Sequence, residues 1–117
     1  MEVNQPIDLT AEERDIVLTL LQRYLPNVSA WAYGSRAKLT SRPASDLDLV
    51  VFASKKQQLQ VGELREAFEE SDLPFRVDLF VWNEIPDAFR ENILAEHVEL
   101  MSGQQFAPTS PDVKNPN

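Results

Sequence analysis

Gly34-Ser35, ten intervening residues, and then Asp46-Leu47-Asp48 form a spacing suited to phosphate chemistry. A third acid follows in Phe75-Arg76-Val77-Asp78-Leu79-Phe80. Strand side chains alternate between faces, so Asp46 and Asp48 point the same way, with backbones about 6–7 Å apart, while Leu47, Leu49 and Val51 point into a core. In the second segment Arg76 and Asp78 share one face, and Phe75, Val77, Leu79 and Val81 share the other. If the two strands are neighbours, three carboxylates meet on one polar surface. Such a cluster is costly unless a cation neutralises it. Mg²⁺ is the expected cation, being hard, oxygen-seeking and ordinarily shared with substrate phosphates. Two such ions, about 3.5–4 Å apart, could stabilise both the attacking and the leaving oxygen of an in-line displacement. The chemistry implied is phosphoryl or nucleotidyl transfer from a nucleoside triphosphate.

Gly34 supplies the other half of the site. Ser29-Ala30-Trp31-Ala32-Tyr33 reads as a short strand that Gly34 ends, with Ser35-Arg36-Ala37-Lys38 opening a helix. A helix start presents free N–H groups to phosphate, and a glycine lets the backbone come close. The Ser35 hydroxyl can add a hydrogen bond, and Arg36 or Lys38 can add charge. Singly, each feature has an ordinary explanation: a turn, a solvated strand face, surface cations, an exposed ion pair. Their ordered conjunction carries the reading.

The elements that must position these residues are legible around them. Residues 1–9 read as a loose arm. Thr10 and Glu13 make a capping box for a helix reaching Leu25, with Ile16, Leu20 and Tyr24 on one face. After the first strand and the short helix, residues 40–45 form a loop, and Asp46–Ala53 a strand. Gln58–Ser71 is helical by the spacing of Val61, Leu64 and Phe68. Pro74 breaks the chain before a strand over Phe75–Trp82. A last helix begins near Asn83–Pro86, with Ile85, Phe89 and Ile93 as its buried side. Val98–Met101 closes as a short strand. His97 reads as a structural histidine, Trp31 as core, and Trp82 as packed under a helix, with nucleotide stacking as its alternative. The expected fold is a small α/β or α+β domain over residues 8–103. It has a mixed sheet of three to four strands flanked by helices. Residues 104–117, with three prolines and little apolar surface, read as a disordered tail.

The Gly34-Ser35, Asp46-x-Asp48 and Asp78 order resembles the nucleotidyltransferase superfamily related to DNA polymerase β. It is most similar to its minimal (MNT) members. Trp31-Ala32-Tyr33-Gly34-Ser35-Arg36-Ala37 and Ser45-Asp46-Leu47-Asp48-Leu49 look typical of the family, and so does Ser71-Asp72-Leu73-Pro74-Phe75-Arg76-Val77-Asp78, which resembles MNT antitoxins paired with a small helical HEPN ribonuclease toxin. The resemblance implies Mg²⁺-dependent transfer of AMP from ATP to a tyrosine of the toxin, within type VII toxin–antitoxin systems. It implies metal binding by Asp46, Asp48 and Asp78, and triphosphate binding by Gly34 and Ser35 with help from Arg36. One departure is Lys38-Leu39, where many relatives carry Arg-Gly. Two alternatives stand beside this reading: a subunit acting on a small molecule such as an aminoglycoside, and an antitoxin that blocks its partner without chemistry.

Composition narrows the partners. The chain has 117 residues, enough for one domain, and its 43% apolar content supports a single core. A net charge of −8 disfavours binding a nucleic-acid backbone and suits a basic protein partner, hence a hetero-oligomer. No apolar run approaches the ~20 residues of a membrane span. The amino terminus lacks a secretory pattern, and there is no cysteine for a disulfide or thiolate zinc site. A cytoplasmic location is the expectation.

Overall fold

The computed structural model describes residues 6–103. Its elements run α1 (Ala11–Tyr24), β1 (Ala30–Tyr33), β2 (Leu47–Val51), α2 (Gln58–Glu69), β3 (Val77–Val81), α3 (Asp87–Ala95) and β4 (Val98–Met101). Short 3₁₀ turns precede α2 at Lys55–Gln57 and α3 at Trp82–Glu84. The four strands form one mixed sheet in the order β3-β2-β1-β4. β1 is antiparallel to both neighbours, and β2 is parallel to β3.

Local chemistry explains the boundaries. Thr10 accepts from Glu13 N at 3.1 Å, and the Glu13 carboxylate accepts from Thr10 N at 3.0 Å, the reciprocal box that opens α1. Asn27, at φ 66°, turns the chain after α1. Pro86 is the N-cap of α3, a place where its missing N–H costs nothing.

Alternation then sorts each strand between two cores. Ala30 and Ala32, Leu47, Leu49 and Val51, and Leu79 and Val81 pack with α1 and α2 through Val17, Leu21, Leu64 and Phe68. On the opposite face Trp31, Tyr33, Val50 and Phe52 pack with Trp82, Ile85 and Ile93. Parity places Asp48 and Asp78 on this second face, so α3 and its preceding turn border the acids. Trp82 is buried among Trp31 and Phe52, at 5.9 and 5.0 Å between ring centroids, which settles it as packing. His97 lies flat on Trp31 at 3.8 Å, with Nδ1 2.9 Å from the Ile93 carbonyl oxygen.

Three expectations change. The arm is docked from Ile7 onward: Asp8 N donates to Arg36 O at 3.0 Å, the Asp8 carboxylate accepts from Ser41, and Ile7 and Leu9 pack against the core. No helix follows Gly34; residues 35–39 form turns. Phe89, expected on the buried side of its helix, is 41% exposed. The expected tail, residues 104–117, lies outside the described residues. Among the described residues no helix is long and apolar enough to cross a membrane.

Candidate active site

Strand register assembles the acids. Asp48 stands opposite Tyr33 on β1 and opposite Asp78 on β3. Asp46, one residue before β2, lies beside Arg76, because Leu47 N donates to Arg76 O at 2.9 Å and ties the two approaches together. The Arg76 guanidinium spans the gap. Its Nε is 3.1 Å from Asp78 Oδ1, and its Nη2 is 3.4 Å from both Asp46 Oδ2 and Asp78 Oδ2. The parallel pairing of β2 with β3 thus brings all three carboxylates to one edge of the second sheet face.

The electrostatics follow from that crowding. Burial, then the charges of Asp78 and Asp46, push the Asp48 carboxyl up from 3.8 to about 6, with Arg76 pulling the other way. The Tyr33 phenol is also pushed up, first by burial and then by Asp48 and Asp78, so it remains a neutral donor beside the acids. Arg76 is held above its ordinary value by its hydrogen bond to Asp78 and by the charges of Asp78 and Asp46. Among the described residues no three His, Cys, Asp or Glu side chains form a ready-made metal cage. The donor set nonetheless suits Mg²⁺, which takes one or two carboxylates and completes its shell with phosphate oxygens and water. An all-carboxylate set in which ionising the central member is opposed by its neighbours is one that a hard cation stabilises.

The Gly34 turn is shaped around Asp48. Gly34 has φ +79°, and a Cβ there would collide with Asp48 Oδ2. The sequence reading assigned its missing side chain to phosphate approach; in the structure the nearest obstacle is the carboxylate itself. Beyond Gly34 the chain closes one turn through Lys38 N to Gly34 O at 3.0 Å and Thr40 N to Ser35 O at 2.9 Å. Leu39, the position of the departure noted above, takes φ 61° with 54% of its surface exposed.

Arg36 does not join the acids. It is 4% exposed, its guanidinium donates to the carbonyls of Asp8, Arg42, Pro43 and Ser45 at 2.6–3.4 Å, and it lies 4.0 Å over the Phe75 ring. All of its forks are spent holding the loop between Gly34 and Asp46 to the docked arm. Arg36 is therefore a loop clamp, which corrects its assignment to the nucleotide. Arg36→Ala should destabilise the fold by about 3 kcal/mol, because charged hydrogen bonds are lost and loop carbonyls are left unpaired. Urea denaturation checks this, and Arg36→Lys should recover only part of the loss, since an ammonium lacks the fork.

Lys38, by contrast, lines the same cavity as Asp48. A cavity of about 610 Å³ is lined by Tyr33, Gly34, Lys38 and Asp48 on the sheet side and by Phe89 and Asn92 among the residues of α3. Phe89 meets the Tyr33 ring edge-on at 5.8 Å. The sequence missed Tyr33 and Phe89 as lining residues. Tyr33 was identifiable by its parity with Trp31 and its place before Gly34. Phe89 carried no signal, since its helical spacing matched the buried stripe. A second hollow of about 240 Å³, lined in part by Lys55, Arg65 and Glu84, lies at the far ends of β2 and β3 and touches none of the acids.

Comparison with known proteins bears on the family and the fold. The family model described as Polymerase beta, Nucleotidyltransferase matches residues 15–106. A protein of Haemophilus influenzae Rd named probable protein adenylyltransferase MntA is 40% identical over 100 residues, spanning 85% of this chain and 88% of that protein. A crystal structure of a toxin–antitoxin with AMP-PNP aligns with a TM-score of 0.64 at 22% identity, over 79% of this chain and 75% of that one. A structure of tri-AMPylated Shewanella oneidensis HEPN toxin in complex with MNT antitoxin aligns with a TM-score of 0.50 at 16% identity, over 79% and 71% of the two chains. These two structures share the fold.

Proposed function

This chain belongs to the polymerase β-type nucleotidyltransferase family, and from that premise we propose that it transfers AMP from ATP to a tyrosine hydroxyl of a small helical HEPN-type toxin, silencing it as an antitoxin. The observation that carries the chemistry is the register pair Asp48–Asp78 on parallel strands, with Gly34 packed against Asp48. The protein acceptor is supported by the relative at 40% identity, whose name is that of a protein adenylyltransferase. The −8 charge of this chain suits a basic partner.

Asp46 and Asp48 are the residues that would hold Mg²⁺, with Asp78 completing the site. Bound Mg²⁺ would neutralise the triphosphate and the charge that develops on the attacking and leaving oxygens. The turn from Gly34 to Lys38 offers backbone N–H groups, the Ser35 hydroxyl and the Lys38 ammonium to the triphosphate. The neutral Tyr33 phenol can donate without adding negative charge. In the transfer, the acceptor oxygen attacks the α-phosphorus in line, and the bond to the α–β bridging oxygen breaks. Pyrophosphate leaves with that electron pair. The acceptor proton passes to an oxygen of Asp78, the carboxylate carried on the edge strand β3.

Label position tests the reaction type. ATP labelled at the α-phosphate should mark the partner, and ATP labelled at the γ-phosphate should not. The reverse pattern would make the protein a kinase and overturn nucleotidyl transfer.

A further inference from the structure

We propose that Arg76 is a built-in counter-ion of the carboxylate cluster, one that a divalent cation must displace before both Asp46 and Asp78 can bind it. This rests on the reading of Asp46, Asp48 and Asp78 as metal ligands and adds a control element to it. The guanidinium bridges the outer two acids at 3.1–3.4 Å, engaging both oxygens of Asp78 and Oδ2 of Asp46. Its side chain is 70% exposed. Nothing in the structure makes it part of a core.

That combination fits a displaceable ion. Three like charges on adjacent strands repel one another, and a planar fork reaching two of them at once relieves the repulsion. Exposed ion pairs are weak, because solvent screens them and long side chains lose freedom in making them. Arg76 therefore holds Asp46 and Asp78 in place in the free protein and yields to a stronger cation. The cost of displacing it sets a threshold: free Mg²⁺ meets competition, whereas Mg²⁺ arriving with a triphosphate brings extra ligands that outweigh it. The arrangement couples metal loading to nucleotide arrival.

The competition has a direct readout. The melting temperature is followed against Mg²⁺ concentration, without nucleotide, for the wild type, Arg76→Gln, Arg76→Lys and Asp46→Asn. Loss of two exposed ion pairs should lower the half-saturating Mg²⁺ concentration about fivefold in Arg76→Gln. Arg76→Lys keeps the charge but loses the fork, so it should fall between Arg76→Gln and wild type. Asp46→Asn should flatten the response. An unchanged midpoint in Arg76→Gln, or Arg76→Lys identical to wild type, would overturn the counter-ion role while the Asp46-dependent response still upheld the metal site. A wild-type response that Asp46→Asn leaves intact would instead remove the metal reading, and the proposal with it.

Discussion

Asp48→Asn should abolish transfer and, at neutral pH without metal, make the protein more stable. Removing a ligand that carries several kcal/mol of transition-state stabilisation lowers the rate by about 10³-fold or more. The size is kept, so the fold remains. The stability gain comes from the raised acid at this position. The Asp48 carboxyl titrates near 6 when folded against an ordinary 3.8. Between those values the folded state binds the extra proton, so stability falls as pH rises, and the full penalty is present above about 6. Two pH units correspond to about 3 kcal/mol, and partial exposure of Asp48 reduces that to roughly 1 kcal/mol. Melting curves of the two proteins should therefore separate at pH 7.5 and converge near pH 4. Mg²⁺ should stabilise the wild type and leave Asp48→Asn nearly unmoved. Near-normal transfer by Asp48→Asn would remove the metal site; a stability gap that persists at pH 4 would contradict its electrostatic origin.

Gly34→Val carries the second largest effect, on both stability and transfer. The sequence reads Gly34 as allowing close backbone approach to phosphate, and the structure adds a cost to folding. At φ +79° a branched side chain meets its own backbone, and its Cβ meets Asp48 Oδ2. Left-handed strain and crowding together should cost about 2–4 kcal/mol. Transfer should fall by at least about 10²-fold, the penalty for moving a catalytic group by an ångström. Gly34→Ala, the milder form, separates the causes through a double-mutant cycle. Its stability cost should shrink when Asp48 is also alanine, because the obstructing carboxylate is gone. Equal costs in both backgrounds would show that Asp48 does not shape the turn.

The chemistry-bearing strands were legible because alternation and composition agreed in each. Leu47, Leu49 and Val51 opposing Asp46 and Asp48 predict a buried face turned away from the acids, and the structure places all three in the core under α1 and α2. The mixed sheet and its flanking helices followed from strands punctuated by Pro26, Gly34 and Pro74. The loop between Gly34 and Asp46 was not legible, since it is organised by partners far away in sequence. Arg36 looked like a phosphate ligand because an arginine next to a Gly-Ser turn does so by default. Its real partners include the Asp8 carbonyl, 28 residues distant. Residues 7–9 looked loose for the same reason: Asp8 is anchored by Arg36 and Ser41, which come later in the chain. Arg76 was placed on the correct face by parity, but its bridge to Asp46 required knowing that β3 lies parallel to β2.

The central claim is transfer of AMP to a tyrosine of a helical partner, and intact-mass measurement of that partner tests it most directly. The full chain is incubated with ATP, Mg²⁺ and the HEPN-type protein, and both proteins are weighed. A mass gain on the partner in steps of one AMP, mapping to tyrosine and absent with Asp46→Asn, is the predicted result. An unmodified partner that is still neutralised, equally by wild type and by Asp46→Asn, would contradict it and leave binding alone as the mechanism.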